Sequence, residues 1–334
     1  MDSSRFSERI VVVTGGSAGL GRATAVAFAK VGAHVAILAR DHERLRDAQE
    51  EIERYGVRCL GLSVDVSDAD AVDDAAEVIE SELGAIDIWV NNAMTTIFAS
   101  LDQIEPAEFK RVTEVTYLGV VYGTMAALKR MRRRDQGTIV QVGSALAYRS
   151  IPLQSAYCGA KHAIRGFTDS LRAELVHEHS RLKITMVQMP ALNTPQFEWC
   201  LSRMPRKSQP VPPIFQPELG ARAILWAILH ERRELYVGFP SVKAIIGNKL
   251  FPALGDRLAA RDAWEGQMTD EPQAQDAAAN LFAPVSGAVR AHGQFDARAR
   301  SGSRELWLRR NLTWLLPTSL VMLTIGVALA VKNS

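Results

Sequence analysis

Between residue 10 and about residue 238, short runs of branched aliphatic residues alternate with longer stretches whose apolar positions recur at helical spacing. A run such as Ile10, Val11, Val12, Val13, apolar throughout and followed by glycines, suits a strand buried on both faces. Strands are expected at 10–13, 34–38, 58–64, 86–91, 138–142, 183–189 and 235–238, with helices between them. That alternation predicts an α/β fold, a doubly wound seven-stranded parallel sheet whose ligands sit beyond the carboxyl ends of the strands. Between Pro190 and Pro217 five further prolines exclude a long helix and predict an irregular loop, either a lid or a plain connection.

Chemistry-bearing residues fall at those strand ends. Thr14, Gly15, Gly16, Ser17, Ala18, Gly19, Leu20 and Gly21 follow the first strand and open a helix. Glycines let the backbone turn sharply against a pyrophosphate, whose charge the free N–H groups and the helix dipole stabilise. A tight strand-to-helix connection would need glycines too, but the strand before and the helix after favour a Rossmann-type nucleotide site. The second strand runs into Arg40, a cation suited to a ribose 2′-phosphate, where an NAD-specific site would place an acid. NADP(H) is therefore expected, NAD(H) less so; the plainer reading pairs Arg40 with Asp41 or Glu43 at the surface. Tyr157 and Lys161 stand four apart ahead of a helical run, so the ammonium can lie beside the phenol. Ser144 precedes Tyr157 by thirteen positions, just after the fifth strand.

The Thr-Gly-x-x-x-Gly-x-Gly turn, with Ser144, Tyr157 and Lys161, resembles the classical short-chain dehydrogenase/reductase family over about residues 5–240. The resemblance implies that Gly15, Ser17, Gly19, Leu20 and Gly21 hold the pyrophosphate, that Asp65 and Val66 meet the adenine, and that Asn92, in an Asn-Asn-Ala segment after the fourth strand, belongs to the cofactor site. Thr194, in the segment after the sixth strand, would meet the nicotinamide carboxamide. Ser144 would polarise a carbonyl, Tyr157 would donate or accept the proton, and Lys161 would tune Tyr157 and hold the nicotinamide ribose. This chain has Met94 for a usual glycine, Ala191 for another, and Thr116 where many members carry an Asn that serves a proton relay. Family members commonly pair through helices matching 109–131 and 155–177, so a homodimer or tetramer is expected. Two rivals are a catalytically silent NADP(H)-binding sensor or scaffold at a membrane, and an epimerase- or dehydratase-like reaction. Retention of the three catalytic types and the form of the glycine turn argue against them.

Composition narrows the partners. With 39 basic and 37 acidic residues the net charge of +2 is no electrostatic footprint for nucleic acid. Three cysteines without Cys-x-x-Cys spacing suit a reducing compartment, and His177 and His179, two apart on a helix, point to different faces rather than to one metal. Since the run at 10–13 is too short for a signal core, the catalytic part is expected in the cytoplasm. The apolar residues of the proline-rich segment, Phe197, Trp199, Leu201, Met204 and Phe215, hint at a lipophilic alcohol or ketone, unless they pack on the domain instead.

Residues 241–303 are expected to hold a helical extension and, over 269–303, a polar linker; residues 304–334 hold a hydrophobic helix. Its core, 312–331, is twenty residues without a charged side chain, about 30 Å as a helix and enough to cross a bilayer. Arg304, Arg309 and Arg310 before it place the enzyme on the cytoplasmic side. The alternative is a buried or amphipathic helix docked on the enzyme or on a partner subunit.

Overall fold

The computed structural model describes residues 5–274, 277–285 and 290–307. Its seven-stranded sheet comprises β1 (Ile10–Thr14), β2 (His34–Ala39), β3 (Cys59–Ser63), β4 (Ile86–Asn91), β6 (Thr138–Ser144), β7 (Lys183–Met189) and β10 (Glu234–Tyr236). The order is β10-β7-β6-β4-β1-β2-β3, and every pairing is parallel. The chain winds outward from β1 through β2 to β3, then crosses back to β4 on the other side of β1. The switch point therefore lies between β1 and β4, where the carboxyl ends open a crevice.

Alternation along β1 shows why both faces are covered. Val11 and Val13 enter one apolar layer with Phe28, Ile37, Leu219 and Trp226, whereas Ile10 and Val12 enter the other with Ile79, Trp89, Met131 and Leu171. The first layer packs under α1 (Gly19–Ala29), α2 (His42–Glu53) and α8 (Pro217–Leu229); the second lies under α3 (Ala69–Glu82), α5 (Gly119–Met131) and α6 (Ser155–His177). Asp41 and Asp68 cap α2 and α3 by accepting from the N–H groups of Arg44 and Ala71. Trp89 is fully buried and donates to Asn91 Oδ1 at 2.8 Å. Trp89→Ala is expected to cost about 3–5 kcal/mol through the cavity it leaves. Urea unfolding checks this by a fall in midpoint at unchanged slope.

The expected strands are all present, with ends shifted by up to two residues. The helix expected at 109–131 is α4 (Pro106–Thr113) joined to α5 through one π-type turn, Glu114–Leu118. The proline-rich segment is more ordered than a loop. It contains α7 (Gln196–Trp199), β8 (Leu201–Ser202), which pairs with β5 (Ile97–Phe98), and β9 (Arg206–Ser208). β9 pairs antiparallel with β11 (Met268–Pro272), which follows α9 (Phe239–Leu250), α10 (Pro252–Leu258) and α11 (Trp264–Gly266).

Nor do the described residues beyond β11 behave as a free polar linker. They return over the crevice, because side chains of the core hold their main-chain carbonyls, a kind of contact to which composition is blind. Among the described residues no helix is long and apolar enough to cross a membrane. The apolar run 312–331 lies outside the described residues.

Candidate active site

The glycine turn takes its shape from conformations that other residues resist. Gly15 and Gly19 have φ of +65° and +54°, and a Cβ on Gly21 would lie 2.1 Å from the Gly15 carbonyl oxygen. The turn is tied to the end of β4: the Thr14 hydroxyl accepts from the N–H groups of Asn92 and Ala93, and Asn92 Nδ2 donates to the Thr14 carbonyl at 2.9 Å. Ser17 and Leu20 are buried beside it. Residue type at 14 carries this bracing, which the glycine pattern alone does not reveal.

At the far end of the crevice, β6 and α6 bring three side chains together. The Ser144 hydroxyl accepts from the Leu146 N–H at 3.1 Å and stands close enough to the Tyr157 hydroxyl to favour its ionised form. Lys161 Nζ donates to the Val142 carbonyl at 2.7 Å and sits 5.5 Å from the centre of the Tyr157 ring. Lys161 is 3% exposed, and burial lowers its ammonium to about 8. Burial also pushes the Tyr157 phenol above its ordinary value, with the Ser144 hydroxyl pulling the other way. Desolvation thus outweighs any lowering of Tyr157 by Lys161, and the phenol stays protonated at neutral pH. A protonated phenol beside a second hydroxyl can donate to a developing alkoxide.

Thr116 sits in the π-type turn, fully buried, its hydroxyl accepting from the Thr95 N–H at 3.0 Å and donating to the Thr95 carbonyl at 2.9 Å. It clamps the loop after β4 and points no free donor toward Lys161.

The adenosine end differs from the expectation. Arg40 pairs with neither Asp41 nor Glu43; it donates to the carbonyls of Asn280 at 2.5 Å and Phe282 at 2.9 Å. Asp65 forms an ion pair with Arg111 and accepts from the Ser67 hydroxyl at 2.7 Å. Burial works to raise its carboxyl, but these bonds prevail and hold it below the usual carboxylate range. Arg111 also donates to the Leu281 carbonyl at 3.1 Å. The Gly19 N–H donates to the Arg290 carbonyl, and Gly19 lies against Thr194. Val66 is buried against Gly119 and lines the crevice.

Asn193, next to Thr194, is a hub that the sequence reading missed. It is fully buried, donates through Nδ2 to Asp296 at 2.8 Å and to Gln216 at 3.1 Å, and accepts from the Phe295 N–H at 3.0 Å. Its partners lie up to 103 residues away, so no local spacing marks it.

Gly15, Gly19, Arg40, Asp65, Asn92, Ser144, Tyr157, Lys161 and Thr194 line one cavity of about 430 Å³ that runs from the glycine turn to Tyr157. Its substrate end is apolar, bounded by Phe197, Pro212 and Pro240, while Trp199 lines the cavity under the Arg44 guanidinium. Met204 and Phe215 are buried elsewhere in the core, and Leu201 packs beside Ile97, so only two of the five apolar residues expected to cover the substrate reach the cavity. Gln154 lines the same end and donates to Gln267 at 2.7 Å.

A crevice at a sheet switch point, a glycine turn opening a helix, and a Ser-Tyr-Lys cluster at the opposite end define a dinucleotide-binding oxidoreductase class. A family model for short chain dehydrogenases matches residues 9–200. The chain belongs to that family and is one of its oxidoreductases. It is 33% identical over 272 residues to the uncharacterized oxidoreductase YxnA of Bacillus subtilis (strain 168), covering 80% of this chain and 76% of that protein. To the 3-dehydrosphinganine reductase of Danio rerio it is 34% identical over 192 residues, 56% of this chain and 57% of the reductase. Among solved structures, the alcohol dehydrogenase of the archaeon Thermococcus sibiricus, complexed with 5-hydroxy-NADP, has 25% identity and a TM-score of 0.58. That match covers 68% of this chain and 95% of the other.

Proposed function

We propose that the chain is an NADP(H)-dependent reductase of a lipophilic carbonyl compound, with Tyr157 as the acid/base. The observation that carries this reading is the buried cluster of Ser144, Tyr157 and Lys161 at the apolar end of the cavity. The glycine turn fits a pyrophosphate, since Gly21 leaves room only for hydrogen and Gly15 and Gly19 turn left-handed. When bound, the dinucleotide is the source or sink of the hydride. Ser144 orients and polarises the substrate oxygen, and Tyr157 gives it the proton. Lys161, anchored on the Val142 carbonyl, stabilises the phenolate left behind, which regains its proton from solvent.

The preference for a 2′-phosphate rests on the guanidinium of Arg40, whose N–H groups also hold the carbonyls of Asn280 and Phe282. A 2′-phosphate and these carbonyls compete for the same donors. Arg40→Asp is expected to weaken NADPH binding about 10–100-fold, the worth of one or two charge-assisted hydrogen bonds, and to favour NADH. Titration of both cofactors checks it, and an unchanged ratio of affinities contradicts the preference. The Thermococcus sibiricus complex with 5-hydroxy-NADP and the sphingolipid-reductase relative support an NADP-type cofactor and a lipophilic substrate. Pairing of two or four copies through α4, α5 and α6, and anchoring by 312–331 with the catalytic part on the cytoplasmic face, belong to the same proposal. Assaying the full chain with NADPH against ketones, aldehydes and quinones of graded chain length tests the whole reading. Turnover should rise with apolar length, and no turnover with any carbonyl contradicts it.

A further inference from the structure

Among the described residues, two short helices beside the cavity mouth carry an exposed apolar face. Along α9 the exposed apolar residues are Phe239, Ile246 and Leu250, spaced seven and four apart on one stripe. Across the turn the stripe continues with Phe251, Leu254 and Leu258 on α10. Phe239, Leu250 and Phe251 are each about two-thirds exposed, at 65%, 65% and 64%. The opposite side of α9 is fastened to the core. Ile245 is buried with Ala147 and Tyr148, and Asn248 donates to the Tyr148 carbonyl at 2.8 Å. Arg149 holds α10 through Asp256 at 2.8 Å. The pair is thus a firmly held platform whose outward side is greasy, and a face of that kind marks an interaction site.

We infer that this α9–α10 face lies on a lipid bilayer and that the cavity opens to the membrane surface beside it. Three observations name lipid rather than protein. First, the face is continuous with the cavity: Pro240 and Ser241, in the first turn of α9, line its apolar end. Second, the surrounding charge is unbalanced. Each acid between 239 and 265 has an arginine partner: Asp256 has Arg149, Asp262 has Arg261, and Glu265 has Arg206. Lys243, Lys249 and Arg257 are exposed with no carboxylate partner among the described residues, as suits lipid phosphates at an interface. Third, the chain returns to this platform shortly before its apolar run: the Gly238 N–H, at the head of α9, donates to the Glu305 carboxylate at 3.1 Å, and 312–331 begins seven residues further along the sequence. A lipophilic substrate could then pass from bilayer to Tyr157 without crossing water. That last step rests on the proposed carbonyl reductase activity; the seating of the face does not.

The test uses the full chain reconstituted in phosphatidylcholine vesicles. Cys59, Cys158 and Cys200 are buried, so an environment-sensitive thiol dye will mark an introduced cysteine. Leu254→Cys reports on the platform, and Leu101→Cys, equally apolar and exposed but away from α9 and α10, is the control. With brominated acyl chains the dye at 254 should lose most of its emission and shift to the blue, while the dye at 101 changes little. If the protein is in the vesicle pellet but neither dye is quenched, the tail anchors and the face stays in water, which overturns the inference and leaves the anchor standing. If the dye at 254 escapes both bromine and aqueous iodide, the face is covered by residues 308–334 or by a second copy, and the inference fails. Neither outcome depends on turnover, so loss of the carbonyl reductase reading would be seen separately.

Discussion

Replacing Tyr157 with phenylalanine is expected to lower turnover by about 10²–10⁴-fold, a rise in the barrier of about 3–5 kcal/mol. The phenol stands beside the Ser144 hydroxyl and next to a buried ammonium. Phenylalanine keeps the ring and its packing and removes only the transferable proton. Cofactor affinity, set by the glycine turn and Arg40 at the other end of the crevice, should hardly move. Steady-state turnover together with an equilibrium titration of NADPH separates these effects. A variant that retains wild-type turnover would exclude Tyr157 as the acid/base.

Lys161→Met is expected to abolish turnover and yet to stabilise the fold at neutral pH. The ammonium lies in a buried site with the Val142 carbonyl as its one hydrogen-bond acceptor among the described residues, and burial lowers its pKa from 10.5 to about 8. In the unfolded chain the amine keeps its higher pKa, so between about pH 8 and 10.5 the unfolded state binds more protons. The folded state therefore carries its full penalty below about pH 8 and is relieved of it as pH rises toward 10.5. The shift corresponds to at most about 3 kcal/mol. After the loss of the donor to Val142, a net gain of about 1–2 kcal/mol remains at pH 7. Urea unfolding at pH 7 and pH 10 should show wild-type stability rising over that window and the variant lacking this rise. Easier unfolding of the variant at pH 7 would mean that Lys161 is a structural cation rather than a strained functional one.

The pattern of the chain foretold the sheet because its central strands are buried on both faces and so appear as unbroken apolar runs. The glycine turn and the Ser144, Tyr157 and Lys161 set were equally legible, since each is fixed by local spacing at a strand end. Thr116 was visible as a departure, but its reciprocal bonds to the Thr95 main chain were not, because they join the loop after β4 to a π-type turn. The return of residues 280–285 and 290–300 over the crevice was hidden for a related reason. Their Ala, Gly, Gln and Asp composition reads as linker, whereas what holds them is Arg40, Arg111 and Asn193 bonding to main-chain groups some 100 to 240 residues away. Long-range contacts of that kind carry no sequence period. They also change what Arg40 means, from a cation suited to a 2′-phosphate or paired with Asp41 or Glu43 to a donor shared with main-chain carbonyls.

The central claim is that the cavity joins a dinucleotide at the glycine turn to a carbonyl held at Ser144 and Tyr157. It is tested most directly by following the hydrogen itself. The full chain, given NADPH deuterated at its transferable position and the best carbonyl substrate from the panel, should yield an alcohol with one deuterium on the former carbonyl carbon by mass spectrometry. The Tyr157→Phe protein should yield almost none. Product whose new carbon-bound hydrogen comes from solvent, or equal labelling by the variant at the wild-type rate, would contradict the account.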